Sequence, residues 1–405
     1  MNLAVDPRTE KSTVAEMRCL VCGAPEVTRG VRIENVPAHA VRLYKSRAEA
    51  LSEPLGVLDL VGCQACGFVF NGAYNPSLHR YDAQYESTQS FSPAFNAFNR
   101  ELAQSILDAT TMSGPIVEIG CGNGELLALL LELDDRPMIG FDPAYSAEHC
   151  ALPKGAPAVI HARNFDPSAL HDTPAAIVSK MTLEHVSDPV GFLTEIAMAI
   201  PVGSHTRVFI QVPNAGYIFQ KDSIGDLLYE HCNYFSARSL NSALSMAGLQ
   251  STSLKEGFGG QYLLSISQLA RNEVEEPGER RLGELSDFAS FSRRLHVNAS
   301  AWSEWVNSIV EDGGKLAFWG GASKAVGFLS VTQSTSKFQF AIDINPRKLG
   351  SYLPGTAIEV RSPEMAACSD ITDILVCNPI YMDEIASLCR RLGIRAKLHP
   401  MTMLP

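Results

Sequence analysis

This chain has no surplus of basic residues. Lys and Arg number 33 against 44 Asp and Glu, for a formal net charge of −11. That balance argues against a nucleic-acid surface. It leaves room for an anionic small molecule, which a local cluster of Arg and Lys can still bind. No apolar run approaches the length needed to span a bilayer, so no membrane association is expected. The opening segment MNLAVDPRTEKST lacks the sustained apolar core of a signal peptide. A cytoplasmic protein is therefore expected, with residues 1 to about 14 disordered. The ten cysteines are scattered, and two C-x-x-C pairs stand among them. Without a secretory signal such pairs read as a metal site or redox motif rather than a disulfide framework. Two nucleotide signatures are missing at the main glycine turn: neither the G-x-G-x-x-G fingerprint nor a phosphate loop with Lys and Ser/Thr is present. With 405 residues and an ordinary globular composition, two or three domains are expected.

What is present is organised around Ile116 to Leu127, IVEIGCGNGELL. A short apolar run ends at Glu118 and reads as a buried parallel strand. Gly120, Gly122 and Gly124 follow at alternate positions, permitting a tight turn and close approach of a bound molecule to the backbone. The segment from Glu125 onward reads as a helix. Strand, turn and helix open a doubly wound nucleotide site. The spacing E-x-G-x-G-x-G resembles the first motif of class I S-adenosylmethionine (SAM)-dependent methyltransferases, whose loop holds the methionine part of the cofactor. On the loop alone, a packing turn is the competing reading. About twenty residues on, Met138 to Pro143 (MIGFDP) reads as a second strand ending in Asp142, a carboxylate placed to accept ribose hydroxyls. The competing role for Asp142 is a turn or cap residue.

Near the N-terminus, Cys19-Leu20-Val21-Cys22-Gly23 is followed some forty residues later by Cys63-Gln64-Ala65-Cys66-Gly67. Two C-x-x-C-G knuckles point to a tetrahedral, structural zinc with ligands Cys19, Cys22, Cys63 and Cys66. A redox pair is the alternative, but that motif is usually single and sits at a helix N-terminus. An insertion from Ile33 to Leu58 separates the knuckles. The aromatic stretch after Cys66 carries Tyr81 and Tyr85, and reads as a packed connection or a flap over a site. A helix is expected from Phe95 to Leu107. Further strands are expected at Ala158–Ile160, Ala175–Ser179 and Arg207–Val212. The string from Lys180 to Asp188 lies at the carboxyl end of a strand beside the switch point, where doubly wound sheets place ligands. Ser236 is placed to cap a helix that Gly248 closes. Gly259-Gly260 within a strand pattern suggests a bulge or close backbone approach. Residues 271 to about 312 read as a charged helical linker. A second, smaller αβ unit follows, with strands Lys315–Trp319, Phe338–Ile342 and Asp373–Cys377. Its loop Gly320-Gly321-Ala322-Ser323-Lys324 could hold a phosphate or simply turn the chain.

The order of these strings resembles bacterial bilobal C-methyltransferases that act on nucleotide-linked deoxysugars. CxxCG twice, EIGCGNGE, GFDP, TLEHVSDP, VPNA, YEHCNYFS, GGQY, GGASK and DINPRKLGSYLPG carry the resemblance across nearly the whole chain. It implies an α/β fold in three parts: a zinc-binding lobe (14–75), a class I methyltransferase Rossmann-like domain with a substrate flap (76–270), and, beyond the linker (271–312), a smaller C-terminal Rossmann-like domain (313–405). SAM would be held by Glu118, Gly120, Gly122, Asn123, Gly124, Asp142, Pro143 and Lys180, with Asn164 or Phe165 bordering the adenine. The resemblance makes His231 the base that takes a proton from the carbon beside a keto group. Glu230, His185 and Tyr85 or Tyr81 share that site. Where the sugar enzymes carry a tyrosine two residues before the glutamate, this chain has Leu228, with Tyr229 adjacent to Glu230.

The residue types suit the chemistry. A neutral imidazole can accept a proton near pH 7. Glu230 is expected to orient that imidazole, and a phenol or His185 to hydrogen-bond the enolate oxygen. The expected partner is a small-molecule keto substrate, a nucleotide-linked sugar foremost, and the enzyme would be a monomer or homodimer. Rivals are transfer to O or N of another metabolite, a nicotinamide-dependent oxidoreductase using the C-terminal loop, and a non-catalytic scaffold.

Overall fold

The structure is a computed structural model and describes residues 17–270 and 283–402. The expected disorder of residues 1–14, the first residues of the zinc lobe and the first part of the linker lie outside the described residues. Three strands, β1 (Val27–Pro37), β2 (Leu55–Cys63) and β3 (Val69–Asn71), pair antiparallel in sequence order. The insertion between the cysteine knuckles begins and ends in sheet, with one short helix, Arg47–Leu51, between.

The second sheet opens with β4 (Ile116–Ile119), β5 (Met138–Phe141), β6 (Ala158–His161), β7 (Ala176–Lys180) and β8 (Arg207–Pro213), all parallel. Next comes β9 (Asn233–Tyr234), which leaves this sheet and pairs with β3 as the fourth strand of the first. The N-terminal sheet is therefore completed by a strand from the middle segment. Then β10 (Leu249–Gly257) and β11 (Tyr262–Leu269) form a hairpin, with β11 antiparallel to β8. Across the sheet the order is β6-β5-β4-β7-β8-β11-β10. The central reversal at β4 is the switch point of a doubly wound sheet. Gly259 and Gly260 form no bulge: Phe258 to Gln261 make the hairpin turn, with left-handed φ at Phe258, Gly259 and Gly260. The ribbon's irregularity falls instead between Ser251 and Ser253.

The C-terminal strands are β12 (Leu316–Trp319), β13 (Phe338–Ile342), β14 (Val360–Arg361), β15 (Asp373–Val376) and β16 (Lys397–Pro400). They run parallel in the order β14-β13-β12-β15-β16, the expected second Rossmann-like unit. Among the described residues no helix is long and apolar enough to cross a membrane.

The expected linker is partly a long helix, Gly283–Glu311, and it is not a solvated bridge. Phe288, Phe291, Leu295, Ala299, Trp302 and Val306 recur every three or four residues and are buried, the stripe of a core-facing helix. A Cβ at Gly30 would lie 2.4 Å from the Phe288 ring, so glycine lets this helix close on β1. One apolar core joins Val31 and Leu58 of the first sheet, Leu227 of the middle segment and Phe318 and Phe328 of the C-terminal unit. The three parts differ in topology yet share this core.

Candidate active site

The glycine loop is built by backbone geometry. Gly120, Gly122 and Gly124 take φ of 75°, 55° and 86°, the left-handed region that side chains disfavour. The carboxylate of Asp142, just past β5, accepts Gly122 N–H at 2.8 Å and Ala144 N–H at 2.7 Å. Asp142 thus caps its own turn and braces the glycine loop, while still facing the cleft. Glu118 is buried, one carboxyl oxygen lacks a partner, and burial pushes its pKa up to about 8. Glu118, Gly120, Gly122, Asn123, Asp142, Pro143, Asn164, Phe165 and Lys180 all line one cavity of about 870 Å³. That volume suits a cofactor together with an acceptor. Gly124 does not line it; it starts the helix Glu125–Leu131 behind the loop, where a Cβ would meet Ile160 at 2.8 Å. The Asn123 side chain accepts Ser146 N–H at 3.1 Å, so part of its capacity goes to holding the next loop.

The five expected catalytic residues, Tyr81, Tyr85, His185, Glu230 and His231, open into the same cavity. His185 Nδ1 donates to the carbonyl of Glu230 at 3.0 Å, leaving Nε2 as the acceptor. His185 and His231 meet edge to face, centroids 4.8 Å apart. Burial pulls both imidazoles down, His231 to about 4 and His185 to about 3. Asp226 pulls His231 the other way. The Glu230 carboxylate does not orient His231. It pairs with His79 Nε2 at 3.1 Å and accepts Ala40 N–H at 3.4 Å. Burial pushes Glu230 up, yet the His79 hydrogen bond and the nearby histidines hold its pKa below the usual value.

His79 was not legible as a site residue. It is buried, stacks on His39 (centroids 4.4 Å), meets the tilted ring of Tyr81 (4.4 Å), and stands two residues before Tyr81 in the flap. His39 is held in turn: its Nδ1 donates to Glu53 at 2.8 Å and its Nε2 accepts Arg80 N–H at 2.9 Å. The flap is tied down on both sides. Arg42 pairs with Asp82 at 2.8 Å, and Glu86 accepts from Asn345 at 3.2 Å in the C-terminal unit. Leu228 lines the cleft where the sugar enzymes carry a tyrosine. Tyr229 turns away; its hydroxyl accepts Asn75 N–H at 2.7 Å and its ring packs over Gly56.

The far wall comes from the C-terminal unit: Trp319, Gly320, Ala322, Ser323, Lys324, Lys348 and Asn378 line the cavity. Lys324 pairs with Asp226 at 2.6 Å, and Lys348 with Asp343 at 3.2 Å. Asp343 repeats the pattern of Asp142, accepting Gly321 N–H at 3.0 Å and Asn345 N–H at 2.9 Å.

The four expected metal ligands converge. The sulfurs of Cys19, Cys22, Cys63 and Cys66 lie within 4.8 Å of one another, with Cys19–Cys66 at 3.5 Å and Cys22–Cys63 at 3.6 Å. Thiolates sharing a tetrahedral zinc at about 2.3 Å stand about 3.8 Å apart, so the donor set fits such an ion. Gly23 and Gly67 take φ of 70° and 75° to turn each knuckle.

Two family models match successive parts of the chain. One, described as a methyltransferase domain, matches residues 94–254; the other, described as a C-methyltransferase C-terminal domain, matches residues 264–392. The C-methyltransferase NovU of Streptomyces niveus is 24% identical over 372 residues, covering 86% of each chain. Among solved structures, N,N-8-amino-8-demethyl-D-riboflavin dimethyltransferase (RosA) of Streptomyces davawensis is 18% identical and matches 44% of this chain and 55% of its own, with a TM-score of 0.36. The Burkholderia thailandensis 1,6-didemethyltoxoflavin-N1-methyltransferase, with bound S-adenosylhomocysteine, is 16% identical and matches 45% of this chain and 80% of its own, with a TM-score of 0.33.

Proposed function

We propose that this chain, which belongs to the SAM-dependent C-methyltransferase family, methylates a carbon alpha to a keto group of a small metabolite, a nucleotide-linked deoxysugar or a relative of one. The observation that carries the reading is the position of His231: an imidazole with no side-chain hydrogen-bond partner among the described residues, facing the cavity that the cofactor loop also lines. Such a carbon is a poor nucleophile until deprotonated. Burial keeps His231 neutral and able to accept the proton, and Asp226 favours its protonated form once the transfer has occurred. Tyr81, whose hydroxyl has no partner, and Tyr85 supply hydrogen bonds where negative charge develops on the enolate oxygen. Glu230, held by His79, keeps a fixed negative charge at the floor of the site. SAM, when bound, supplies the electrophilic methyl group. The buried acid Glu118 and the braced carboxylate Asp142 suit its positive charge and its ribose.

The wall around Gly320 to Lys324 would receive the polar end of the acceptor. The four cysteines would hold structural zinc, since four protein ligands close the shell. We place the enzyme in the cytoplasm.

The test is solvent-deuterium exchange at the α-carbon of nucleotide-linked keto-deoxysugars, with S-adenosylhomocysteine present and no methyl donor. Wild-type protein should catalyse exchange, and His231→Ala should lose it while still binding S-adenosylhomocysteine. Methyl transfer that survives His231→Ala would move the acceptor to O or N.

A further inference from the structure

Beside the proposed base lies a buried carboxylate that the methyl-transfer reading does not use. Glu184 is fully buried, and neither of its carboxyl oxygens has a hydrogen-bond partner. Such a carboxylate is costly as an anion, so burial pushes its acid up to about 8, and a cation bound beside it would restore the ionised form. One oxygen lies 3.9 Å from His185 Nε2. His185 spends Nδ1 on the Glu230 carbonyl, the outer hydrogen bond that metal-bound histidines characteristically make. That leaves the Nε2 lone pair directed away from the carbonyl. One ring nitrogen of His231 completes the group: a donor atom from each of Glu184, His185 and His231 lies within 4.8 Å of the others.

We propose that Glu184, His185 and His231 form a second metal site, separate from the four cysteines, that takes a borderline divalent cation such as Zn²⁺, Co²⁺ or Ni²⁺. Two imidazoles and one carboxylate with open positions are the donor set these ions favour. Ligands held at about 2.1 Å stand no more than about 4.2 Å apart. The Glu184–His185 separation already satisfies that limit, and the widest pair must close by less than about 1 Å. The Glu230 carboxylate adds attraction for a cation from below. Because His231 is a ligand, the filled site withdraws the lone pair of the proposed base. The ion is therefore an inhibitor of methyl transfer rather than a helper.

The experiment is equilibrium dialysis of full-length, zinc-loaded protein against Co²⁺ alone, with total metal counted and the visible spectrum recorded. The site predicts one further ion per chain at micromolar Co²⁺, with d–d absorption and no thiolate charge-transfer band. Glu184→Gln and His231→Ala should each weaken that ion at least tenfold, and S-adenosylhomocysteine titration verifies that each variant is folded. The proposal is overturned if the wild type takes up no ion beyond the cysteine cluster, or if a folded variant binds cobalt as tightly as the wild type. None of these readouts depends on turnover, so failure here leaves the proposed base untouched, and failure of the deuterium test leaves the metal count untouched.

Discussion

Replacing Gly120 with alanine tests whether the loop is set by contact or only by backbone angle. A Cβ at Gly120 would stand 2.0 Å from Thr182 Oγ1 and 2.9 Å from Thr182 Cγ2. Rotating Thr182 about χ1 does not move its Cβ, which would stand 3.0 Å away, so the close contact persists. Gly122 is the natural control. Its φ is also positive, but the nearest atom to a new Cβ is Glu125 Oε2, at 3.6 Å. The left-handed angle costs about 1–2 kcal/mol in either variant. Overpacking against Thr182 adds about 1–3 kcal/mol at Gly120 alone. Gly120→Ala should therefore lose about 2–5 kcal/mol, and Gly122→Ala about 1–2 kcal/mol. Adding Thr182→Ala to Gly120→Ala should restore most of the overpacking share, a positive coupling in a double-mutant cycle. Denaturant unfolding of the four proteins measures the cycle, and titration with S-adenosylhomocysteine reads the loop. Equal losses for the two glycines, or no rescue by Thr182→Ala, would refute the contact argument.

Cofactor affinity should rise with pH up to about 8 and then flatten. Glu118 holds its proton to about that pH in the free protein, a cationic ligand favours the ionised carboxylate, and binding therefore releases a proton. Calorimetry of SAM in buffers of different ionisation enthalpy measures that release, and Glu118→Gln should abolish it. His79→Ala removes the hydrogen-bonded partner of the buried Glu230, which costs about 3–5 kcal/mol; denaturant unfolding at pH 7.5 checks it, and a loss below 1 kcal/mol would show that the pair is not structural. Zinc content should fall by about one ion per chain in Cys66→Ser, measured by metal analysis. Thermal stability should fall with it, because these sulfurs sit in a core shared with Ile119 and Leu240.

What could be read along the chain was local. A strand, a glycine turn and a helix are contiguous, so the loop residues and Asp142 were found from spacing, and Phe338–Ile342 was placed to the residue. The four cysteines were found because each knuckle is a five-residue turn. The partner of Glu230 was not found, because His79 is 151 residues away and no local pattern links the two. Leu228 stands where the resembling enzymes carry a tyrosine, and only the packing of Tyr229 over Gly56 shows that the neighbouring phenol faces away from the cleft. Along the chain the long helix reads as a linker because the stretch leading into it, residues 271–283, is rich in charge. Its buried positions were present in the spacing of Phe288, Phe291 and Leu295, but their partners lie in three separate segments.

The loop from Ile224 to Ser236 explains why three units with different topologies share one core. From the C-terminal unit, Lys324 binds Asp226, and Gly327 packs so close to Gly225 that a Cβ would lie 2.4 Å from its carbonyl. From the N-terminal unit, β3 pairs with Asn233 and Tyr234. From the middle domain, the carbonyls of Leu183 and Val186 accept from the Asn233 side chain at 2.9 and 2.6 Å. Glu230 and His231 lie between these anchors, so each unit fixes one end or one side of the segment that carries them. A base must hold its position to within a fraction of an ångström to count in proton transfer, and a loop anchored from one domain alone would not. The second cysteine knuckle closes β2, the strand beside β3, so through β3 and β9 it would steady the chain that bears the proposed base, His231.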